Sequence, residues 1–120
     1  MKIAISSAGN DLSSAMDSRF GRAKVLVVVD TETDEVSAHD NAQNLNAAQG
    51  AGIQAAQNVA ALGVQAVVSG NVGPKAFRTL NAAGIKMYLC GEGTVAEALR
   101  RFQADALKEL TQANVDGHWG

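Results

Sequence analysis

The chain has 120 residues, enough for one domain, and 47% of them are apolar, so a packed core is possible. Its formal charge of −2 gives no overall field that would attract nucleic acid or an anionic membrane. The single cysteine, Cys90, excludes an internal disulfide and a multi-cysteine metal site, and no apolar run approaches the roughly 20 residues of a membrane helix. We therefore expect a cytoplasmic protein with neither nucleic-acid nor membrane partners.

The first forty residues predict three strands and one long loop. Residues 2–6 read as a buried strand, and residues 7–22 form a polar loop whose length suggests a functional segment. Strands follow at 24–30 and 35–40, with a polar turn at 31–34 between them. These three strands should form an antiparallel meander.

Helices and strands alternate in the rest of the chain. Helical periodicity covers residues 49–62, and Gly63 ends that helix. A strand is predicted at 65–69, a helix at 74–83 and a fifth strand at 85–89.

A third helix is predicted from Thr94, because Thr94 and Glu97 have the spacing of a capping box. It runs through Phe102, and a second apolar set within residues 106–110 would extend it. We assign residues 1–111 to the domain and 112–120 to a loosely ordered C-terminal tail.

This order predicts an α/β fold with a ribonuclease H-like motif. Because crossover connections are right-handed, the fourth strand should lie parallel to the first, and the fifth parallel to the fourth. The expected sheet is five-stranded and mixed, with order 3-2-1-4-5, an antiparallel second strand and helices on both faces. The loops after strands one, four and five then share one edge, which is where open α/β folds bind ligands.

The strands of this sheet exclude a two-metal nuclease. That chemistry needs carboxylates on the central strands, and neither KIAIS at 2–6 nor QAVVS at 65–69 carries one. No Walker loop, Ser–His–Asp set or pair of catalytic carboxylates is present either. The sequence therefore gives no indication of these catalytic sites.

The turn after the fourth strand, Gly70-Asn71-Val72-Gly73-Pro74-Lys75, has two interpretations. Backbone amides at the start of a helix can bind an anion, and Lys75 adds a positive charge. Alternatively, the glycines only make a tight turn, and Pro74 favours this because it removes one N–H group.

Two further segments are binding candidates with simpler alternatives. Arg19 and Arg22 flank Phe20-Gly21, and guanidinium groups suit anionic ligands, although solvated pairing with Asp11 or Asp17 would also account for them. Glycines at 50 and 52 allow close backbone approach, either to a ligand or to another element.

Cys90 ends the fifth strand just before Gly91-Glu92-Gly93. Its thiolate would bind a soft metal, and a following helix start would favour the ionised form. The alternative is a small buried apolar side chain, which is the commoner role of a free cysteine.

Four blocks together resemble the dinitrogenase iron–molybdenum cofactor biosynthesis family, the nitrogenase accessory factor-like domains. They are DSRFGR at 17–22, GAGIQAA at 50–56, GNVGPKA at 70–76 and GTVAEA at 93–98. The resemblance spans about residues 1–110. Within the family, the chain resembles the short single-domain members, such as the orange protein. The chain has Ser18 where this loop often carries proline, which loosens the loop slightly.

Members of that family hold metal–sulfur clusters or their precursors during cofactor assembly. The resemblance implies a non-enzymatic carrier of an anionic cluster, either an iron–molybdenum–sulfur precursor or a molybdenum–copper sulfide. The cluster would be held non-covalently, or be absent from the isolated protein. Cofactor-assembly proteins or ATPases are the implied protein partners.

The resemblance also identifies the residues expected to bind the cluster. They are Arg19, Phe20, Gly21, Arg22, Gly50, Gly52, Gly70, Asn71, Gly73, Lys75, Gly93 and Thr94, with Cys90 as a candidate metal ligand. His118, in the tail beyond the resemblance, is a further candidate metal ligand, and a mobile terminus is its simpler interpretation. Two other functions stay open: a protein-interaction or regulatory module without a cluster, and a binder of small anions or nucleotides. The oligomeric state is also open.

Overall fold

The computed structural model describes residues 1–41 and 50–114. These residues form one six-stranded sheet and three helices. The strands are β1 (Lys2–Ser7), β2 (Val25–Asp30), β3 (Val36–Asp40), β4 (Ala66–Ser69), β5 (Lys86–Leu89) and β6 (Lys108–Glu109). The helices are α1 (Ala51–Ala61), α2 (Pro74–Ala82) and α3 (Val95–Gln103). None of these helices has the length and apolarity needed to cross a bilayer.

The sheet order is β3-β2-β1-β4-β5-β6, which confirms the predicted arrangement of the first five strands. β1 pairs antiparallel with β2 and parallel with β4, so Ile5 lies between Val27 and Val68. β5 continues the sheet parallel to β4. The C-terminal ends of β1, β4 and β5 therefore lie at one edge, as predicted.

The sixth strand corrects the expectation that the third helix extends over residues 106–110. α3 ends at Gln103, and Asp105 adopts a φ of 57°, which a right-handed helix cannot continue through. Leu107 and Leu110 then pack on opposite faces of the sheet. In a helix, residues three apart would share a face, so the apolar spacing was misread.

Two cores cover the two faces of the sheet. α1 and α2 pack on one face against residues such as Ala4 and Val67, whereas α3 packs on the other face against Ile3 and Ile5. Successive strand residues point to opposite faces, so continuous aliphatic runs supply both cores at once. The prediction of helices on both faces is thereby confirmed.

Candidate anion-binding site

The long loop between β1 and β2 (residues 8–24) lies across the ends of the parallel strands. Isolated bridges pair Ala15 with Thr94 and Arg19 with Asn71. The amide of Phe20 donates to the Asn71 carbonyl at 3.1 Å, and that of Met16 donates to the Gly93 carbonyl at 2.9 Å. The loop therefore contacts both glycine-rich turns, and the predicted convergence of three segments is present.

Glycines make this convergence possible where the turns approach most closely. A Cβ atom added to Gly70 would lie 2.9 Å from both the Gly91 Cα and the Ser18 Cβ. Contacts that short do not occur between real carbon atoms, so a side chain at position 70 would push the three segments apart. Gly70 thus has a packing role whether or not it also contacts a ligand.

Two buried serines, Ser6 and Ser69, lie beneath the long loop at the ends of β1 and β4 and bond to it. The sequence did not predict this role. The Ser6 Oγ lies 2.6 Å from the Asp17 carbonyl oxygen and 2.8 Å from the Ser69 Oγ. A hydroxyl carries one proton, so when Ser6 donates to Asp17 it accepts from Ser69. The available signal was a serine at the end of each of two otherwise aliphatic strands.

Arg19 is exposed at this edge and paired with Asp17. Its Nε and Nη2 atoms lie 3.3 and 3.4 Å from the two carboxylate oxygens. The Arg19 backbone amide also donates to Asp17, at 2.9 Å. The sequence had left this pairing open as one of two alternatives. Because 46% of the Arg19 side chain remains accessible, the pair leaves its guanidinium within reach of a ligand.

The start of α2 leaves backbone donors open. Its N-cap, Gly73, has no side chain to cap the helix, and Pro74 has no N–H group. Within residues 1–41 and 50–114, nothing accepts a hydrogen bond from the amides of Lys75 and Ala76. The Lys75 side chain is exposed beside them. This helix end combines two donors, a positive dipole end and a cation.

The start of α3 is closed by hydrogen bonds, unlike the start of α2, and the predicted contact of Thr94 with a cluster stays a prediction. The Thr94 amide donates to the Glu97 carboxylate at 2.9 Å, and the Glu97 amide donates to the Thr94 hydroxyl at 3.1 Å. The amides of Val95 and Ala96 donate to carbonyls of the long loop at 2.9 and 2.8 Å. Gly93 is explained by its φ of +92°, which favours glycine.

Phe20 and Gly21 hold the long loop against the domain. The Phe20 side chain is fully buried in the α1–α2 core, which gives it a packing role, and its predicted contact with a cluster stays a prediction. A Cβ on Gly21 would lie 2.6 Å from the Gly52 nitrogen. Close packing against the backbone of α1 therefore explains Gly21, and the roles predicted for Gly50 and Gly52 stay predictions. Gly50 has a φ of +101° at the start of α1.

The structure leaves the predictions for Arg22 and His118 untested. Arg22 is half-buried and makes no hydrogen bond or ion pair with the residues described, so its role stays a prediction. His118 lies outside the described residues.

Cys90 is buried beside Arg101, a residue that the sequence analysis did not consider. The Arg101 Nη1 lies 3.5 Å from the Cys90 sulfur and 3.3 Å from the Glu92 carbonyl oxygen. The hydrogen bond with the Cys90 sulfur raises the pKa of Arg101. A side chain that is 7% exposed and already bonded is poorly placed to ligate a metal. Among described residues, no three of His, Cys, Asp or Glu lie close enough to share a metal ion.

Comparison with known proteins identifies the family. Residues 1–105 match the model described as dinitrogenase iron–molybdenum cofactor. The chain belongs to this dinitrogenase iron–molybdenum cofactor family. One curated relative, an uncharacterised protein of Methanocaldococcus jannaschii, is 30% identical to this chain over 112 residues, which cover 92% of each chain.

Two solved structures are similar to this chain over almost its whole length. The apo form of the orange protein from Desulfovibrio gigas is 41% identical, with a TM-score of 0.91 over 95% of this chain and 96% of that one. A NifB-like protein from Thermotoga, of the DUF35 family, is 40% identical, with a TM-score of 0.84 over 97% and 98%. The description of the family names the iron–molybdenum cofactor.

Proposed function

We propose that this protein is a non-enzymatic carrier that binds an anionic metal–sulfur cluster at the edge of the sheet. The cluster would be an iron–molybdenum–sulfur precursor or a molybdenum–copper sulfide, received from or passed to cofactor-assembly proteins or ATPases. The observation that carries this proposal is the open start of α2, which has the exposed Lys75 beside it. The turn before α2 is bridged to Arg19 through Asn71.

The chemistry of the site suits a cluster that brings its own sulfide ligands. Sulfides on a polyanionic cluster accept hydrogen bonds, and the amides of Lys75 and Ala76 are available donors. The side chains of Arg19 and Lys75 would balance the negative charge, with Arg22 on the same loop. No protein thiolate is required, which agrees with Cys90 being buried and bonded to Arg101.

Anaerobic reconstitution tests the proposal. The protein is mixed with tetrathiomolybdate and copper(I), or with an iron–sulfur precursor, and passed through a gel-filtration column. We expect charge-transfer absorption to elute with the protein. Arg19→Ala combined with Lys75→Ala should weaken binding by roughly tenfold or more, because two charge-assisted contacts are lost.

The matched control removes an arginine and a lysine elsewhere. Arg100→Ala with Lys86→Ala changes the net charge equally, but Lys86 begins β5 at the opposite edge and Arg100 lies in the last turn of α3. Binding should be retained in this control. A wild-type protein that stays colourless, or a site variant that binds at full strength, would contradict the proposal. Parallel samples with molybdate and phosphate distinguish a general oxyanion site.

A further inference from the structure

The turn that follows β4 is held by a residue far along the chain, Asn114. The Asn114 Oδ1 accepts a hydrogen bond from the Val72 amide at 2.9 Å, and its Nδ2 donates to the Gly70 carbonyl at 2.8 Å. The backbone amide of Asn114 also donates to the Val72 carbonyl, at 3.3 Å. One side chain thus satisfies both a donor and an acceptor of the same turn.

Asn114 fits this place because a primary amide carries a donor and an acceptor side by side. The turn between β4 and α2 needs both, because its backbone runs between a strand and a helix without completing the hydrogen-bond pattern of either. Gly73, the N-cap of α2, comes directly after Val72, so the Val72 bond restrains the backbone just before the helix begins. The open amides of Lys75 and Ala76 follow within one helical turn.

We propose that Asn114 is a positioning residue for the cluster site, acting through the Gly70–Val72 turn. It contacts no ligand itself, and it aims the start of α2 at the space beside Arg19. The inference rests on the proposed function for its effect on binding. It also makes the site depend on the segment after β6, which the sequence analysis had assigned to a loose tail.

Three variants test the role of Asn114. Asn114→Ala removes both side-chain bonds, Asn114→Asp keeps an acceptor for Val72 but loses the donor to Gly70, and Gln112→Ala is the control. Gln112 is exposed in the same segment and makes no side-chain hydrogen bond with the residues described. Each variant is studied by amide hydrogen exchange and by titration with tetrathiomolybdate and copper(I), at a temperature where it is fully folded.

We expect Asn114→Ala to accelerate exchange of the Val72 amide and to weaken binding of the probe by roughly tenfold, since two hydrogen bonds are lost. Asn114→Asp should keep the Val72 amide protected and still weaken binding. The Gln112 control should match the wild type in both measurements. Weaker binding that follows only the overall loss of stability would indicate a structural role and overturn the inference.

The two proposals fail in different ways. If the wild type does not bind the probe, the proposed function fails, and the Val72 exchange still decides whether Asn114 holds the turn. Unchanged Val72 exchange in Asn114→Ala would overturn the positioning role regardless of binding. Normal binding in Asn114→Ala, with the wild type also binding, would overturn it while leaving the carrier function intact.

Discussion

Asp17 limits the charge that Arg19 can offer to a ligand. The two side chains form an ion pair at the protein surface, and such pairs contribute little stability because water screens them. The Asp17 carboxylate has a second partner, the Arg19 backbone amide, which sets the course of the loop. An asparagine could keep that acceptor without the charge.

We therefore expect Asp17→Asn to strengthen binding of tetrathiomolybdate and copper(I) by roughly two- to fivefold, because a negative charge beside the site is removed and Arg19 is released. The gain should shrink as salt is added, since screening weakens interactions between exposed charges. The measurement is an anaerobic absorbance titration at low and moderate salt.

Asp34→Asn is the control for the change in net charge. Asp34 lies in the β2–β3 turn, at the opposite edge of the sheet, and asparagine tolerates its φ of 63°. This variant should bind the probe like the wild type. Equal gains in both variants would mean that overall charge, rather than the release of Arg19, governs affinity.

Residue-scale features were predictable where they depended on local chemistry. The cations Arg19 and Lys75 and the capping pair at the start of α3 could be identified from residue type and spacing. Asn114 and the pair Ser6–Ser69 could not, because their partners lie 42 to 63 positions away. Only the fold brings such residues together.

The two helices that begin at the C-terminal ends of β4 and β5 differ in how their first amides are satisfied. α3 has a complete capping box, and the long loop accepts its remaining early amides. The N-cap of α2 is glycine, its first residue is proline, and no side chain in the described part of the chain caps it. Since an uncapped helix start costs stability, the difference is consistent with a binding role for α2 and a structural role for α3.

The capping box of α3 gives a pH dependence of stability. The hydrogen bond from the Thr94 amide holds the pKa of Glu97 below its usual value of 4.5. A lowered pKa in the folded state means that the stabilisation is present above the unfolded value and is lost as the pH falls below it. We expect the stability difference between the wild type and Glu97→Gln to shrink from about pH 6 to about pH 3.

Urea unfolding across that pH range measures this difference. Glu109→Gln is the charge-matched control, because Glu109 is exposed on β6 and makes no side-chain bond with the residues described. Its stability relative to the wild type should not follow the same trend. A Glu97→Gln difference that stays constant down to about pH 3 would contradict the role assigned to the capping box.

Element-scale prediction succeeded where periodicity and end signals agreed. α2 was correctly expected to begin at Pro74, and the capping-box spacing correctly placed the start of α3. β6 was missed because two paired residues are too few to show alternation, and their neighbours Leu107 and Leu110 have helical spacing. The helix ends instead just before Asp105, whose backbone has a left-handed conformation that the sequence did not predict.

At the scale of the whole molecule, the topology places the candidate site. Right-handed crossovers bring the ends of β1, β4 and β5 to one edge, and this could be deduced from the order of elements alone. The local geometry at that edge could not be deduced. Which helix start stays open depends on how the long loop crosses the turns, and the loop blocks α3 rather than α2.

The most direct test of the carrier function is to map the binding site on the folded protein. Uniformly ¹⁵N-labelled protein is titrated anaerobically with tetrathiomolybdate and copper(I), and the amide resonances are followed by NMR. The largest shifts should fall on Lys75, Ala76 and Arg19, with the β2–β3 turn unaffected. Shifts centred on Thr94 or on that turn, or no shifts at all, would contradict the account.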